Sequence, residues 1–170
     1  DWPVSRLQSI LAEADPAVIT PPLVAAVDVT ATARLPRLLA LLDCAQGRAA
    51  GRRILAVLKQ ATDDEVLVAC LKSAHVPRER ELLAGLTRHS SWQVRTQAAR
   101  AFGLAAQPGD EKLLLSLLSD RVWWVRYRAA QALTRLAFLS REELLRLRSI
   151  VADRFGQNML DQVMAERLPG

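Results

Sequence analysis

The chain has 170 residues, of which 51% are hydrophobic and 24% are charged, and its formal net charge is +5. This length fits one domain with a buried core, and the apolar content excludes a disordered chain. Leucine, alanine and valine supply most of the apolar residues, whereas aromatic residues make up only 5%. Because leucine and alanine favour helices, the composition predicts an all-α fold.

The positive charge is distributed unevenly along the chain. Residues 1–77 contain 8 basic and 8 acidic residues, whereas residues 78–170 contain 15 basic and 10 acidic residues. The whole net charge therefore belongs to the C-terminal half. We expect a partner that prefers positive charge to meet that half.

The N-terminal part, residues 1–53, contains the most apolar stretch of the chain, residues 16–27. Pro21 and Pro22 interrupt this stretch, and no run of about 18 uncharged apolar residues occurs, so neither a transmembrane helix nor a signal peptide is predicted. Segments 23–27 and 34–42 predict degenerate helical pairs. We expect a cytoplasmic protein, with which reduced cysteines would agree. The chain begins with Asp1 rather than Met, so the alternative is the soluble part of a longer, membrane-anchored protein.

Two cysteines, Cys44 and Cys70, lie in apolar stretches with helical patterns. No CxxC motif occurs, and no histidine lies at a spacing typical of metal ligands. We therefore interpret both as small buried hydrophobic residues rather than as a disulfide or a ligand pair.

The middle of the chain contains an internal repeat, because residues 82–104 match residues 113–135 at a shift of 31. A weaker copy at 54–74 matches the first of these segments at a shift of 28. The clearest repeats are therefore predicted at 54–137. The matched positions of the strong pair are Leu82, Leu83 and Leu86 with Leu113, Leu114 and Leu117; Trp92, Val94 and Arg95 with Trp123, Val125 and Arg126; and Ala98, Ala99, Ala101 and Phe102 with Ala129, Ala130, Ala132 and Leu133.

Each repeat is predicted to form a helix, a short turn and a second helix with an apolar stripe of helical period. Asp120 is a plausible N-cap, and residues 138–170 are predicted to form a terminal helical pair that caps the array. A single helical pair cannot bury its apolar face, but stacked pairs can. Capping boxes are predicted at Thr62 with Glu65, Ser90 with Gln93, and Ser140 with Glu143.

The segments SSWQVRTQAARAFGLAA and DRVWWVRYRAAQALTRLA resemble HEAT repeats of the short bacterial type. The resemblance implies an all-α superhelix, a HEAT-like solenoid of about four to five helical hairpins, that extends as a single domain over residues 1–170. Two features depart from the family pattern, because the period is near 31 residues and Leu67 replaces the arginine in the weak copy. The family is usually a protein-binding scaffold, and the resemblance implies no reaction.

Arg95 and Arg126 occupy equivalent positions at the start of the second helices. In proteins of this family such an arginine usually pairs with an acidic or carbonyl group in the adjacent turn. The resemblance therefore implies a structural ladder formed by Arg95, Asp120 and Arg126, with contact to a ligand as the alternative. Trp92 and Trp123 also occupy equivalent positions, and this repetition predicts that they pack between repeats.

Polar and aromatic side chains recur along one face of the second helices. The spacing also places Thr96 on this face. In a solenoid the second helices line the concave surface, so these side chains are predicted to bind a partner, with a solvated helix face as the alternative. The predicted partner-binding residues are Gln93, Gln97, Arg100, Trp124, Tyr127, Arg128, Gln131 and Arg135.

The sequence gives no support for catalysis or for a cofactor or metal. Its two histidines, His75 and His89, have no nucleophile at a recognisable spacing, and no phosphate-binding or zinc-binding motif occurs. We therefore predict a non-enzymatic scaffold with a protein partner. The alternative is DNA binding through the arginine and aromatic residues of the C-terminal half, as in helical-repeat DNA glycosylases, although lysine is scarce and no glycosylase carboxylate is found between aromatics.

Overall fold

A computed structural model describes residues 3–45, 48–73, 75 and 78–167 of the chain. In these residues the structure contains eleven α-helices, two short 3-10 turns and no strand, which confirms the predicted all-α fold. Residue 74, where the weak repeat copy was predicted to end, and residues 168–170 of the predicted cap lie outside the described residues.

The contacts divide the chain into two compact units, residues 1–77 and residues 78–170. The single repeat domain over 1–170 stays a prediction. The first unit contains α1 (Val4–Ala12), α2 (Pro16–Val29), α3 (Leu35–Leu41), α4 (Arg48–Gln60) and α5 (Asp64–Lys72). The second unit contains α6 (Arg80–Leu86), α7 (Trp92–Ala105), α8 (Glu111–Leu117), α9 (Trp123–Leu133), α10 (Arg141–Ile150) and α11 (Arg154–Arg167).

In the first unit, α2 and α3 form one hairpin and α4 and α5 form another. Helix α3 packs between α1 and α5, and its residue Leu39 is fully buried. Helix α2 continues through Pro21 and Pro22, which both lie on its exposed side, so the prolines do not end the helix. Among the described helices, none combines the length and the apolar character needed to cross a bilayer.

Both cysteines belong to the first unit, and both are free thiols. Cys70 is fully buried, and burial raises its pKa to about 12. Cys44 is only half-buried, and its thiol donates to the carbonyl oxygen of Gln8 at 3.6 Å. The interpretation as a small buried residue therefore fits Cys70, whereas Cys44 lies at the edge of the core.

The second unit consists of three stacked hairpins, α6–α7, α8–α9 and α10–α11. The second helices contact one another in order, because α9 packs against both α7 and α11. Small residues make this close packing possible, and Ala98 of α7 and Ala129 of α9 are completely buried. Together with the two hairpins of the first unit, this count agrees with the predicted number of hairpins.

Helix capping follows the sequence signals only in part. The capping box of Ser140 and Glu143 is confirmed at the start of α10. Helix α5 is capped by Asp63, whose carboxylate accepts from two backbone N–H groups, rather than by Thr62. Helix α7 begins after Ser91, whose side chain makes no capping bond, so the predicted box at Ser90 is wrong.

Gly103 of α7 lies at the closest approach of α7 to α9. A Cβ atom on Gly103 would lie 2.6 Å from the Cβ of Ala132, a distance that real Cβ atoms do not reach. The two helices can therefore keep their spacing only because residue 103 lacks a side chain.

We expect Gly103→Ala to destabilise the protein by about 1–3 kcal/mol, because the added methyl group forces α7 and α9 apart. Gly85→Ala in α6 is the matched control, since a Cβ there meets no atom within 4 Å. Its higher helix propensity should stabilise the protein by up to about 1 kcal/mol. Chemical denaturation of both variants measures the difference, and equal stabilities would contradict the close-approach explanation.

Candidate functional site

Arg95 connects two successive repeats of the second unit through one guanidinium group. Its Nε and Nη2 atoms donate to the two carboxylate oxygens of Asp120 at 2.7 and 3.0 Å. Its Nη1 atom donates to the carbonyl oxygens of His89 and Ser90 at 2.9 and 2.8 Å. Arg95 is only 7% exposed. A single buried side chain therefore ties the loop before α7 to the loop before α9.

Asp120 also orders the start of α9, because its carboxylate accepts from the backbone N–H of Val122 at 2.8 Å. Val122, rather than Asp120, is the residue at which α9 is capped. Burial alone would raise the pKa of Asp120, but the hydrogen bonds from Arg95 and Val122 and the charges of Arg95 and Arg121 outweigh it and hold the pKa below its ordinary value. Asp120 is therefore ionised at neutral pH.

Arg126 is the equivalent arginine one repeat later, and it uses its guanidinium differently. Its Nη1 atom donates to the carbonyl oxygen of Asp120 at 2.7 Å, which holds the loop before its own helix. On the other side its guanidinium lies over the ring of Phe155, 5.9 Å from the ring centroid. The predicted ladder residues thus lie together. The guanidinium of Arg126 faces an aromatic ring, whereas that of Arg95 faces a carboxylate.

Three aromatic side chains cluster at the start of α9. The rings of Trp123 and Tyr127 stack with centroids 5.0 Å apart, and Trp124 meets Trp123 edge-on at 4.7 Å. The Tyr127 hydroxyl donates to a carboxylate oxygen of Glu166 at 3.2 Å. Trp123 is 41% exposed and Trp124 is 51% exposed. This cluster presents an aromatic surface whose tyrosine is held in place from α11.

Trp92 and Trp123 both occupy the first position of their helices and are about two-fifths exposed. Trp123 contacts the aromatic rings of Trp124 and Tyr127 on its own helix. Packing of the two tryptophans between repeats stays a prediction.

The predicted partner-binding residues of α7 are not all equally accessible. Gln93 is exposed, and its side-chain oxygen accepts from the Ser91 hydroxyl at 3.0 Å, whereas Gln97 and Arg100 are half-buried. Thr96 does not belong to this surface, because it is only 5% exposed and its hydroxyl donates to the carbonyl oxygen of Trp92. A short hydroxyl side chain can turn inward in this way, which spacing alone does not reveal.

A shallow groove runs between α7 and α9. Gly103 and Ala132 lie at its close approach, and its enclosed part has a volume of only about 20 Å³. Within it, Arg128 donates to the side-chain oxygen of Gln131 at 2.8 Å. The groove is lined by Arg100, Gly103, Leu104, Arg128, Gln131, Ala132 and Arg135. Four of the predicted partner-binding residues therefore meet along one groove.

Arg167, which was not predicted, lies at the end of α11, the helix that packs against α9. Partial burial and then the positive charges of Arg167 and Arg128 lower the pKa of Arg135. Arg167 has no equivalent residue in another repeat copy, and 32 positions separate it from Arg135, so the sequence gives no signal for it.

The two histidines make local hydrogen bonds in the described parts of the chain. The His75 imidazole lies 2.8 Å from the carbonyl oxygen of Ala45, and the Ser73 hydroxyl donates to Asp43, so no imidazole activates this serine. His89 accepts from the backbone N–H of Ser91. In those same residues no three potential ligands are grouped around a metal position.

Stacked helical hairpins, joined by side chains at equivalent positions, define an α-helical repeat protein. Residues 79–156 match the family model of HEAT repeats. This match supports the assignment of residues 79–156 to the HEAT repeats, which generally mediate scaffolding of protein–protein interactions. No curated protein and no solved structure matches the chain.

We expect Arg95→Met to destabilise the protein by about 3–5 kcal/mol, because it leaves the Asp120 carboxylate and two carbonyl groups without their buried donor. Arg148→Met is the matched control, since Arg148 pairs with Asp161 in a far more exposed setting. Arg148→Met should lower the free energy of unfolding by a clearly smaller amount. Denaturant unfolding compares the two, and equal losses would show that the Arg95 contacts contribute no more than a surface pair.

The contribution of the Arg95–Asp120 pair should also depend on pH. Because the pKa of Asp120 is lowered from 3.8 in the folded protein, the stabilisation is complete above this value and is lost as the pH falls through the lowered pKa. The difference in Tm between the native protein and Arg95→Met should therefore narrow below about pH 4. A difference that stays constant from pH 7 to pH 3 would contradict this assignment.

Proposed function

We propose that the chain is a non-enzymatic scaffold that binds a protein partner on the second-helix face of residues 78–170. We call this face the docking surface and define it by Gln93, Gln97, Arg100, Trp124, Tyr127, Arg128, Gln131 and Arg135. The observation that carries the proposal is the exposed Trp124 beside a groove lined by arginines. Tryptophan, tyrosine and arginine are the residues most enriched among those that dominate binding energy at protein interfaces.

The rigidity of the surface supports the same function. Arg95 fixes the loops before α7 and α9 relative to one another, and Gly103 fixes the spacing of the two helices. Tyr127 is held by Glu166. A surface whose side chains are already ordered loses less conformational entropy when a partner binds. The ladder residues Arg95, Asp120 and Arg126 therefore serve to position the docking surface rather than to contact the partner.

We expect the double variant Trp124→Ala/Arg128→Ala to weaken binding to the partner by about 30-fold or more, since each truncation removes a large contact from the centre of the surface. The partner is first captured from the source organism with the native chain and is then purified for titration. The control is Ile150→Ala/Arg154→Ala, which removes an exposed aliphatic and an exposed arginine from another part of the same unit. Equal affinities of the two double variants would overturn the docking surface.

DNA binding through the same face is the second candidate, and the excess of basic residues in 78–170 favours it. The salt dependence of the binding affinity distinguishes the two functions. Affinity for DNA falls log-linearly and steeply with salt because bound counterions are released, whereas an interface with an aromatic centre depends on salt only weakly. A steep salt dependence with a DNA oligonucleotide, together with loss of affinity in Trp124→Ala/Arg128→Ala, would support the second candidate over the first.

A further inference from the structure

Three arginines of α9 and α11 have no compensating acid among the described residues. Arg128 and Arg135 line the groove between α7 and α9, and Arg167 lies at the end of α11, which packs against α9. Within the described residues, no carboxylate pairs with any of the three guanidinium groups. Like charges held together repel one another, so this arrangement lowers the stability of the free protein unless an anion joins it.

The acidic groups of the neighbouring helices are already engaged elsewhere. Glu166 accepts from the hydroxyl of Tyr127 at 3.2 Å and from the side chain of Gln162 at 2.9 Å. Asp161 accepts from Arg148 through both of its oxygens, and Asp120 accepts from Arg95 in the same way. These carboxylates are therefore held by other donors, and none of them pairs with the three arginines within the described residues.

The cluster also has unused hydrogen-bonding capacity. Arg128 donates one bond to Gln131, but its Nε atom is buried and has no acceptor among the described residues. A buried donor without an acceptor costs free energy, and a charged acceptor would relieve that cost. Guanidinium groups match carboxylates especially well because two parallel N–H groups can meet the two oxygens.

The size of the groove limits what can enter it. Gly103 and Ala132 are in such close approach that the enclosed volume is only about 20 Å³, which is room for about one water-sized group. A single anionic oxygen, such as one of a carboxylate, fits into this volume. Leu104 on the rim is 45% exposed and offers an apolar contact beside the charged one.

We infer that Arg128 and Arg135 bind the carboxylates of an acidic segment of the partner protein, with Leu104 contacting an apolar residue of that segment. This inference rests on the proposed function and specifies the chemistry of the partner. A nucleic acid is the less suitable occupant, because the exposed Leu104 on the rim offers an apolar contact that a phosphate backbone does not use. The acidic segment therefore needs only one or two carboxylates near an aliphatic side chain.

The probe is a fluorescein-labelled twelve-residue peptide that alternates glutamate with leucine, and its twin carries glutamine in place of every glutamate. Fluorescence anisotropy with the full chain at low salt measures both affinities. We expect the glutamate peptide to bind at least tenfold more tightly than the glutamine twin. A labelled single-stranded oligonucleotide of twelve thymidines serves as the third probe.

Arg128→Gln/Arg135→Gln should weaken binding of the glutamate peptide at least tenfold. The control Arg88→Gln/Arg154→Gln removes the same net charge from exposed positions and should change this affinity less than twofold. Thermal unfolding establishes that each variant is folded. If the first double variant does not fold, Arg135→Gln alone serves as the test, because Arg135 is exposed and its replacement leaves the core intact.

Each remaining outcome overturns the inference in a distinguishable way. Equal binding of the two peptides, with loss of both in Trp124→Ala, would leave the docking surface in place but exclude an acidic partner. Absence of binding by either peptide up to millimolar concentration would exclude the acidic segment while leaving capture of the native partner as a separate test. Tighter, arginine-dependent binding of the oligonucleotide would favour nucleic acid and would contradict both the inference and the proposed function.

Discussion

The buried guanidinium of Arg95 is the interaction on which the second unit depends. It makes four hydrogen bonds, two to Asp120 and two to backbone carbonyl groups, so the loops of successive repeats share one side chain. A lysine could not replace it, because an ammonium group cannot present donors in a planar fork. Since both loops begin the second helices, the same bonds decide where the first residues of α7 and α9 lie. The register of the docking surface is therefore set from its buried side.

The two faces of the second helices thus have opposite electrostatic character. On the buried side Arg95 is fully compensated, and Asp120 has a lowered pKa because its charge is held by hydrogen bonds. On the exposed side Arg128 and Arg135 have no acidic partner among the described residues, and the pKa of Arg135 is lowered by burial and by neighbouring positive charges. Buried charges are normally paired, whereas charges at the surface can be solvated without a partner. This contrast distinguishes the compensated Arg95 from Arg128 and Arg135, which the proposal assigns to binding.

The fold was largely predictable because its signals repeat along the chain. The second helices and the stacked hairpins follow from the recurring apolar residues, and the HEAT match at 79–156 begins after the weak copy and ends beyond the predicted limit of 137. The site was less predictable, because periodicity does not report side-chain direction. Thr96 turns inward to a carbonyl group, and Trp92 and Trp123 are about two-fifths exposed at the first positions of their helices. Arg167 comes from a terminal helix without a repeat copy, so its effect on the pKa of Arg135 follows only from the packing of α11 on α9.

The contact between α7 and α9 at Gly103 and Ala132 also has a mechanical consequence. Successive repeats of the second unit touch mainly through their second helices, where even one added Cβ at Gly103 would clash with Ala132. Any bending of the unit would therefore separate its first helices α6 and α8 first, with the line of second helices as the pivot. Atoms at the pivot move least in such a motion. A partner bound to α7 and α9 would thus keep its contacts while α6 and α8 move apart and together.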